Sequence, residues 1–120
     1  MARVVAHVPD LLFGSKVQGM LGAGGHDVAL VGNEPAVRGA LDGADVLVVD
    51  LTADDIAGIA LLEALQADDL VADTKTLAFY SHVDADVRRR AIEAGFDLVV
   101  PRSRMAREGA ALVDGLAGSA

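Results

Sequence analysis

Five short β-rich runs alternate with five helix-periodic segments along this chain, and few folds accept that order. The runs are Arg3–Val8, His26–Val31, Asp45–Asp50, Thr76–Tyr80 and Asp97–Val100. The third, Asp45-Val46-Leu47-Val48-Val49-Asp50, is apolar on both alternating faces, as a central strand covered on both sides must be. Between the runs, apolar residues recur at helical spacing: Phe13, Val17, Met20 and Leu21; then Ile56, Ile59, Leu62 and Leu65; then Val87, Ala91 and Ala94. Asn33 before Glu34-Pro35 caps a short helix that runs through Leu41. Asp84 caps the fourth helix, Gly95 ends it, and Ser103 is the expected cap of the fifth, with Met105, Leu112 and Leu116 facing inward. The tail from Gly115 to Ala120 is expected to fray. Strictly alternating strands and helices predict a doubly wound α/β domain, a five-stranded parallel sheet between two helical layers. Periodicity alone does not give the strand order.

At 120 residues the chain has the size of one domain, so residues 1–120 are read as a single unit. Although 52% of the residues are hydrophobic, no apolar run approaches the roughly eighteen that span a bilayer. No secretion signal is expected at the N-terminus, and the lack of cysteine suits a cytoplasmic location. A net charge of −8 disfavours nucleic acid and anionic membranes as partners, because phosphate binding relies on Lys and Arg. The basic residues are nevertheless clustered, with Arg88, Arg89, Arg90, Arg102, Arg104 and Arg107 inside one short stretch. Such a run is either a solvated helix face or a docking surface.

In doubly wound folds, sites lie beyond the carboxyl ends of the strands, which here selects His7, Gly32, Asp50, Ser81 and Arg102. Three segments among these elements resemble the receiver domain of response regulators. Asp45–Leu51 is followed by Gly58, eight residues after Asp50; Tyr80-Ser81-His82 closes strand four; and Ala91-Ile92-Glu93-Ala94-Gly95-Phe96-Asp97 precedes strand five. The resemblance covers essentially the whole chain. It implies a CheY-like, flavodoxin-like (βα)5 fold, with Asp50 at the phospho-acceptor position, Ser81 at the Ser/Thr position and Arg102 near the Lys position. It also implies a signalling role and not an enzyme, with a partner face on the fourth helix, fifth strand and fifth helix. In this chain that face carries Arg88, Arg89, Arg90, Arg104 and Arg107. The expected partner is another protein or a second copy of the chain.

Two departures shape the functional expectation. Receivers neutralise the acceptor with magnesium held by acids after strand one, but here His7 and Val8 stand there, and Asp10 lies two to three residues later. At the Lys position Arg102 keeps the charge but not the compact ammonium. The leading expectation is therefore a stand-alone pseudo-receiver with no cofactor. The alternative is a phosphorylatable receiver that uses magnesium with Asp10 as a displaced ligand. A flavodoxin-like small-ligand domain ranks third, because Pro9-Asp10-Leu11-Leu12 replaces a phosphate loop and flanking aromatics for flavin are missing.

A charged Asp50 at a buried strand end needs a partner: an ion pair with Arg102 or Lys75 is expected, or a capping role for the helix that starts near Asp54. His7 and His82 beside Asp50 are ordinary hydrogen-bonding residues, a transition-metal cluster or a pH-sensitive pair. His26, beside the glycine-rich Gly22-Ala23-Gly24-Gly25 turn, is expected to be exposed and inert.

Overall fold

The computed structural model describes residues 1–118. In chain order the elements are β1 (Arg3–His7), α1 (Leu11–Ala23), β2 (Asp27–Val31), α2 (Glu34–Ala40) and β3 (Val46–Asp50). They continue with α3 (Asp55–Ala67), β4 (Lys75–Tyr80), α4 (Ala85–Ala94), β5 (Leu98–Pro101) and α5 (Arg102–Ala117). All strand pairings are parallel and the sheet order is β2-β1-β3-β4-β5. The chain reverses its winding direction at β1 and β3, so the crevice beyond these two strands is the topological switch point where such folds place their sites.

Alternation along the strands divides the core into two halves. Val4, Ala6, Val46, Val48, Leu77 and Phe79 face one helical layer, where Phe13, Val17 and Leu21 of α1 meet Met105 and Val113 of α5. Val5, Leu47, Val49, Ala78 and Tyr80 face the other, against Val37 of α2, Leu62 and Leu65 of α3, and Val87 and Ala91 of α4. Val46, Leu47, Val48 and Val49 are each 0% exposed, which makes β3 the strand buried on both faces. Each such side chain contributes on the order of 1.5–3 kcal/mol through burial, so the sheet is held mainly from its middle.

The helix ends follow local chemistry. Asp10, Asn33, Asp54 and Asp84 each accept backbone N–H bonds from the first turn of the helix they precede. Gly95 ends α4 at φ 107°, a left-handed conformation that costs glycine nothing. Gly24 caps the C-terminus of α1, so the glycine-rich stretch closes a helix, as its context predicts. Ser103 does not cap α5. The cap position lies two residues earlier, at Pro101, and that terminus has no side-chain cap. Nor does the tail fray from Gly115, since α5 continues to Ala117; Ser119 and Ala120 lie outside the described residues. Among the described residues no helix is long and apolar enough to cross a membrane.

The end of the sheet opposite the candidate site is tied by side chains. Asp97 accepts the Thr76 backbone N–H at 2.7 Å and its hydroxyl at 3.1 Å, and its own N–H returns a bond to Thr76 Oγ1 at 3.0 Å. Asp45 accepts the Arg3 N–H at 2.8 Å.

Candidate functional site at the strand mouth

Asp50 is the last residue of β3, is 6% exposed, and has Thr52 as its partner. Its Oδ1 accepts the Thr52 backbone N–H at 2.7 Å and the Thr52 hydroxyl at 2.6 Å. This is a local turn closed by the side chain two residues back, and it supplies the donors that a buried carboxylate requires. The adjoining Leu51 N–H bonds the Phe79 carbonyl at 2.9 Å, which prolongs the β3–β4 ladder beyond the strand. Gly58 explains the eight-residue spacing: a Cβ there would run into Leu51 Cδ2 and lie 3.3 Å from Val49 Cγ1. α3 thus presses onto the strand end, and any larger residue there would have to displace the Leu51 side chain.

The partners expected for Asp50 are placed elsewhere. Arg102 stacks its guanidinium 4.0 Å from the centroid of Phe13 and lies 3.9 Å from the Asp10 carboxylate. It makes no ion pair with Asp50, because the first residue of α5 points across the sheet end toward α1. Lys75 begins β4, at the opposite end of the sheet, and cannot reach Asp50.

The residues after β1 are arranged against metal chelation. Val8 is 2% exposed and packs in the core beneath α1. His7 turns toward the neighbouring strand and donates Nδ1–H to the Val31 carbonyl at 3.3 Å. Asp10 spends Oδ1 on the Leu12 and Phe13 N–H groups at 2.9 and 3.2 Å. Among the described residues no three His, Cys, Asp or Glu side chains converge to hold a metal ion, so the His7–His82–Asp50 cluster does not form.

Two cavities flank the β3–α3 loop instead. One, of about 290 Å³, lies on the α2–α3 side and is lined by His7, Glu34, Asp50 and Asp54. The other, of about 700 Å³, lies on the α1–α5 side and holds Lys16, Thr52, Ser81, His82, Arg102 and Ser103. Ala53 lines both and forms the ridge between them. His7 and His82 therefore open into different cavities.

Sequence reading missed Thr52, Phe13 and Lys16. Thr52 had a signal in the Asp-x-Thr spacing, which favours a side-chain-closed turn. His26 is a correction: it is 7% exposed, not open to solvent. Its Nδ1 accepts the Ala2 N–H at 3.0 Å, which leaves the proton on Nε2. Nε2 lies 2.8 Å from an Asp114 oxygen, near enough for an ion pair but off the line of a hydrogen bond.

On the predicted partner face, α4 and α5 both pack against edge strand β5, and most of the arginines are already matched. Arg89 binds Asp86 and Glu93, Arg90 binds Asp86 and Asp55 of α3, and Arg104 and Arg107 both approach Glu108. Hydrogen bonds from Arg89, then from Arg90, hold the Asp86 carboxyl below the usual aspartate range.

No family model and no curated protein matches the sequence. The structure, however, superimposes on receiver domains over nearly its whole length. A Francisella response regulator receiver domain matches with a TM-score of 0.83 at 16% identity, covering 98% of this chain and 97% of that one. A response regulator from Thermotoga maritima gives 0.82 at 18%, covering 99% of each chain. The chemotaxis protein CheY4 of Vibrio cholerae gives 0.81 at 14%, covering 97% of this chain and 98% of that one. The chain has the receiver fold, the flavodoxin-like five-stranded α/β architecture of response regulators and CheY.

Proposed function

We propose that residues 1–120 form a single receiver-like signalling module that acts by protein–protein contact, is not an enzyme, and has lost magnesium-dependent phosphorylation of Asp50. The observation that carries this reading is the state of the carboxylates at the mouth. One Asp50 oxygen is held by both donors of Thr52, Asp10 is committed to capping α1, and the positions after β1 are filled by a buried valine and a histidine turned to Val31. Magnesium keeps near-octahedral oxygen coordination and relies on carboxylates, which this arrangement does not assemble. The partner contact is placed on α4, β5 and α5, where Arg88 is exposed and has no ion-pair partner among the described residues. The cysteine-free sequence suits a cytoplasmic setting.

The test is incubation with a small phosphodonor and magnesium, read by intact mass. The expected result is no phosphate gain that depends on Asp50, with Asp50→Asn as the control. An Asp50-dependent gain of one phosphate overturns the reading. It would favour the second one, a phosphorylatable receiver, for which Asp50 itself speaks: its Oδ2 makes no hydrogen bond among the described residues, and the residue lines the α2–α3 cavity.

A further inference from the structure

Large apolar side chains left in water are concentrated on one end of this molecule. Leu11 (80% exposed), Leu12 (87%), Ile56 (73%) and Val83 (79%) all sit at the mouth, on the first turns of α1 and α3 and in the β4–α4 loop. None belongs to a core stripe. Asp10 and Asp54 cap the two helices immediately before them, so these side chains occupy first-turn positions that project past the strand ends. Exposed large apolar side chains gathered at one end of a molecule, among charged residues, suit an interface.

The charge on that rim has two halves, divided by the Ala53 ridge. Lys16 and Arg102 line the α1–α5 cavity, where Asp10 is the single acid, whereas Asp50, Asp54 and Glu34, the last also paired with Arg38 of α2 at 3.1 Å, line the α2–α3 cavity, whose own lining holds no Lys or Arg. A uniformly charged partner would be drawn to one half and repelled by the other. A second copy of this chain carries both halves at the matching spacing. A two-fold axis lying in the interface along the ridge brings each basic half over the acidic half of the other copy and stacks the apolar rims between them.

We propose that the chain forms an isologous mouth-to-mouth dimer, closed over Asp50 by the apolar rim and registered by Lys16 and Arg102 against Glu34 and Asp54. This contact is distinct from the α4–β5–α5 face, and it neither requires nor tests the loss of phosphorylation.

Sedimentation analysis of the purified chain from about micromolar to about millimolar concentration tests it. The wild type is expected to pass from monomer to dimer. Leu12→Asp and Ile56→Asp, at exposed positions that leave the thermal unfolding curve unchanged, are each expected to weaken the dimer by about tenfold or more. Lys16→Glu and Glu34→Lys should each weaken it as well, and the double variant should recover it, because each reversed charge then meets a reversed partner in the other copy. A wild type that stays monomeric throughout overturns the proposal. So does a dimer indifferent to Leu12→Asp, or a double variant no better than its singles. A dimer that responds only to changes at Arg88 or Arg104 also overturns it and assigns association to the other face.

Discussion

At the scale of the residue, the mouth is governed by which donor answers each acid. Asp50 is answered from within its own loop, so its stability does not depend on any distant element. Thr52→Val removes the hydroxyl donor but keeps the backbone one, and leaves the β-branched shape intact. We expect a loss of roughly 1–2 kcal/mol in urea unfolding, with the fold unchanged. A loss near zero would mean that water replaces the hydroxyl at no cost. That Asp50 ends β3 was legible in the sequence, because a carboxylate at the end of an all-apolar strand is conspicuous. It did not locate the partner, because opposite charge at the next strand end is a weaker guide than the direction of the side chain. Arg102 opens a helix that aims it at Phe13, a direction set by packing and not by position in the chain. His26 was misread for a related reason: a glycine-rich neighbourhood suggests exposure, but here the chain returns beneath α5 and buries the ring.

At the scale of the element, all ten strands and helices were legible, because each carries its own period and nearly all carry a cap. The errors fell at ends where two signals competed, as at α5, where Pro101 starts the helix before Ser103 can cap it. The fourth helix shows how a charged surface can be internally matched. Asp86 titrates below the ordinary aspartate range of about 3.9, because Arg89 and Arg90 donate to its ionised form. A depressed carboxyl contributes stability above its unfolded-state value and loses that contribution as pH falls through its folded-state value. The support that Asp86 gives α4 is therefore fully present at neutral pH and disappears only in acid below the normal aspartate midpoint. Side-chain carboxyl NMR should give a depressed midpoint for Asp86, returning toward normal in Arg89→Gln/Arg90→Gln. A normal midpoint in the wild type would show that these exposed ion pairs do not persist in solution. The same matching makes Arg88 the guanidinium on α4 most available to a partner.

At the scale of the whole molecule, the sheet is anchored unevenly, and this bears on the partner contact proposed along β5. β3 is buried on both faces, whereas β5 is an edge strand of four residues with partly exposed Leu98 and Val99. What fastens β5 at its start is the reciprocal lock between Asp97 and Thr76, and Asp97 closes one of the three segments that resemble receiver domains. The motif is thus read here as a clasp at the far end of the sheet, away from the mouth. The strand order that makes β5 an edge was not readable from periodicity, since it depends on which strands pair and not on where they lie in the chain. Asp97→Ala removes both acceptor bonds and leaves the Thr76 N–H without its partner, a change of about 1–3 kcal/mol. If the clasp acts locally, native-state hydrogen exchange will show the β5 amides that bond β4 opening faster, with the β1 and β3 amides retaining global-unfolding protection. A uniform fall in protection across all five strands would mean that β5 opens only with the whole domain. In that case the α4–β5–α5 face could not shift independently of the core, and any signal through it would have to be carried by side chains alone.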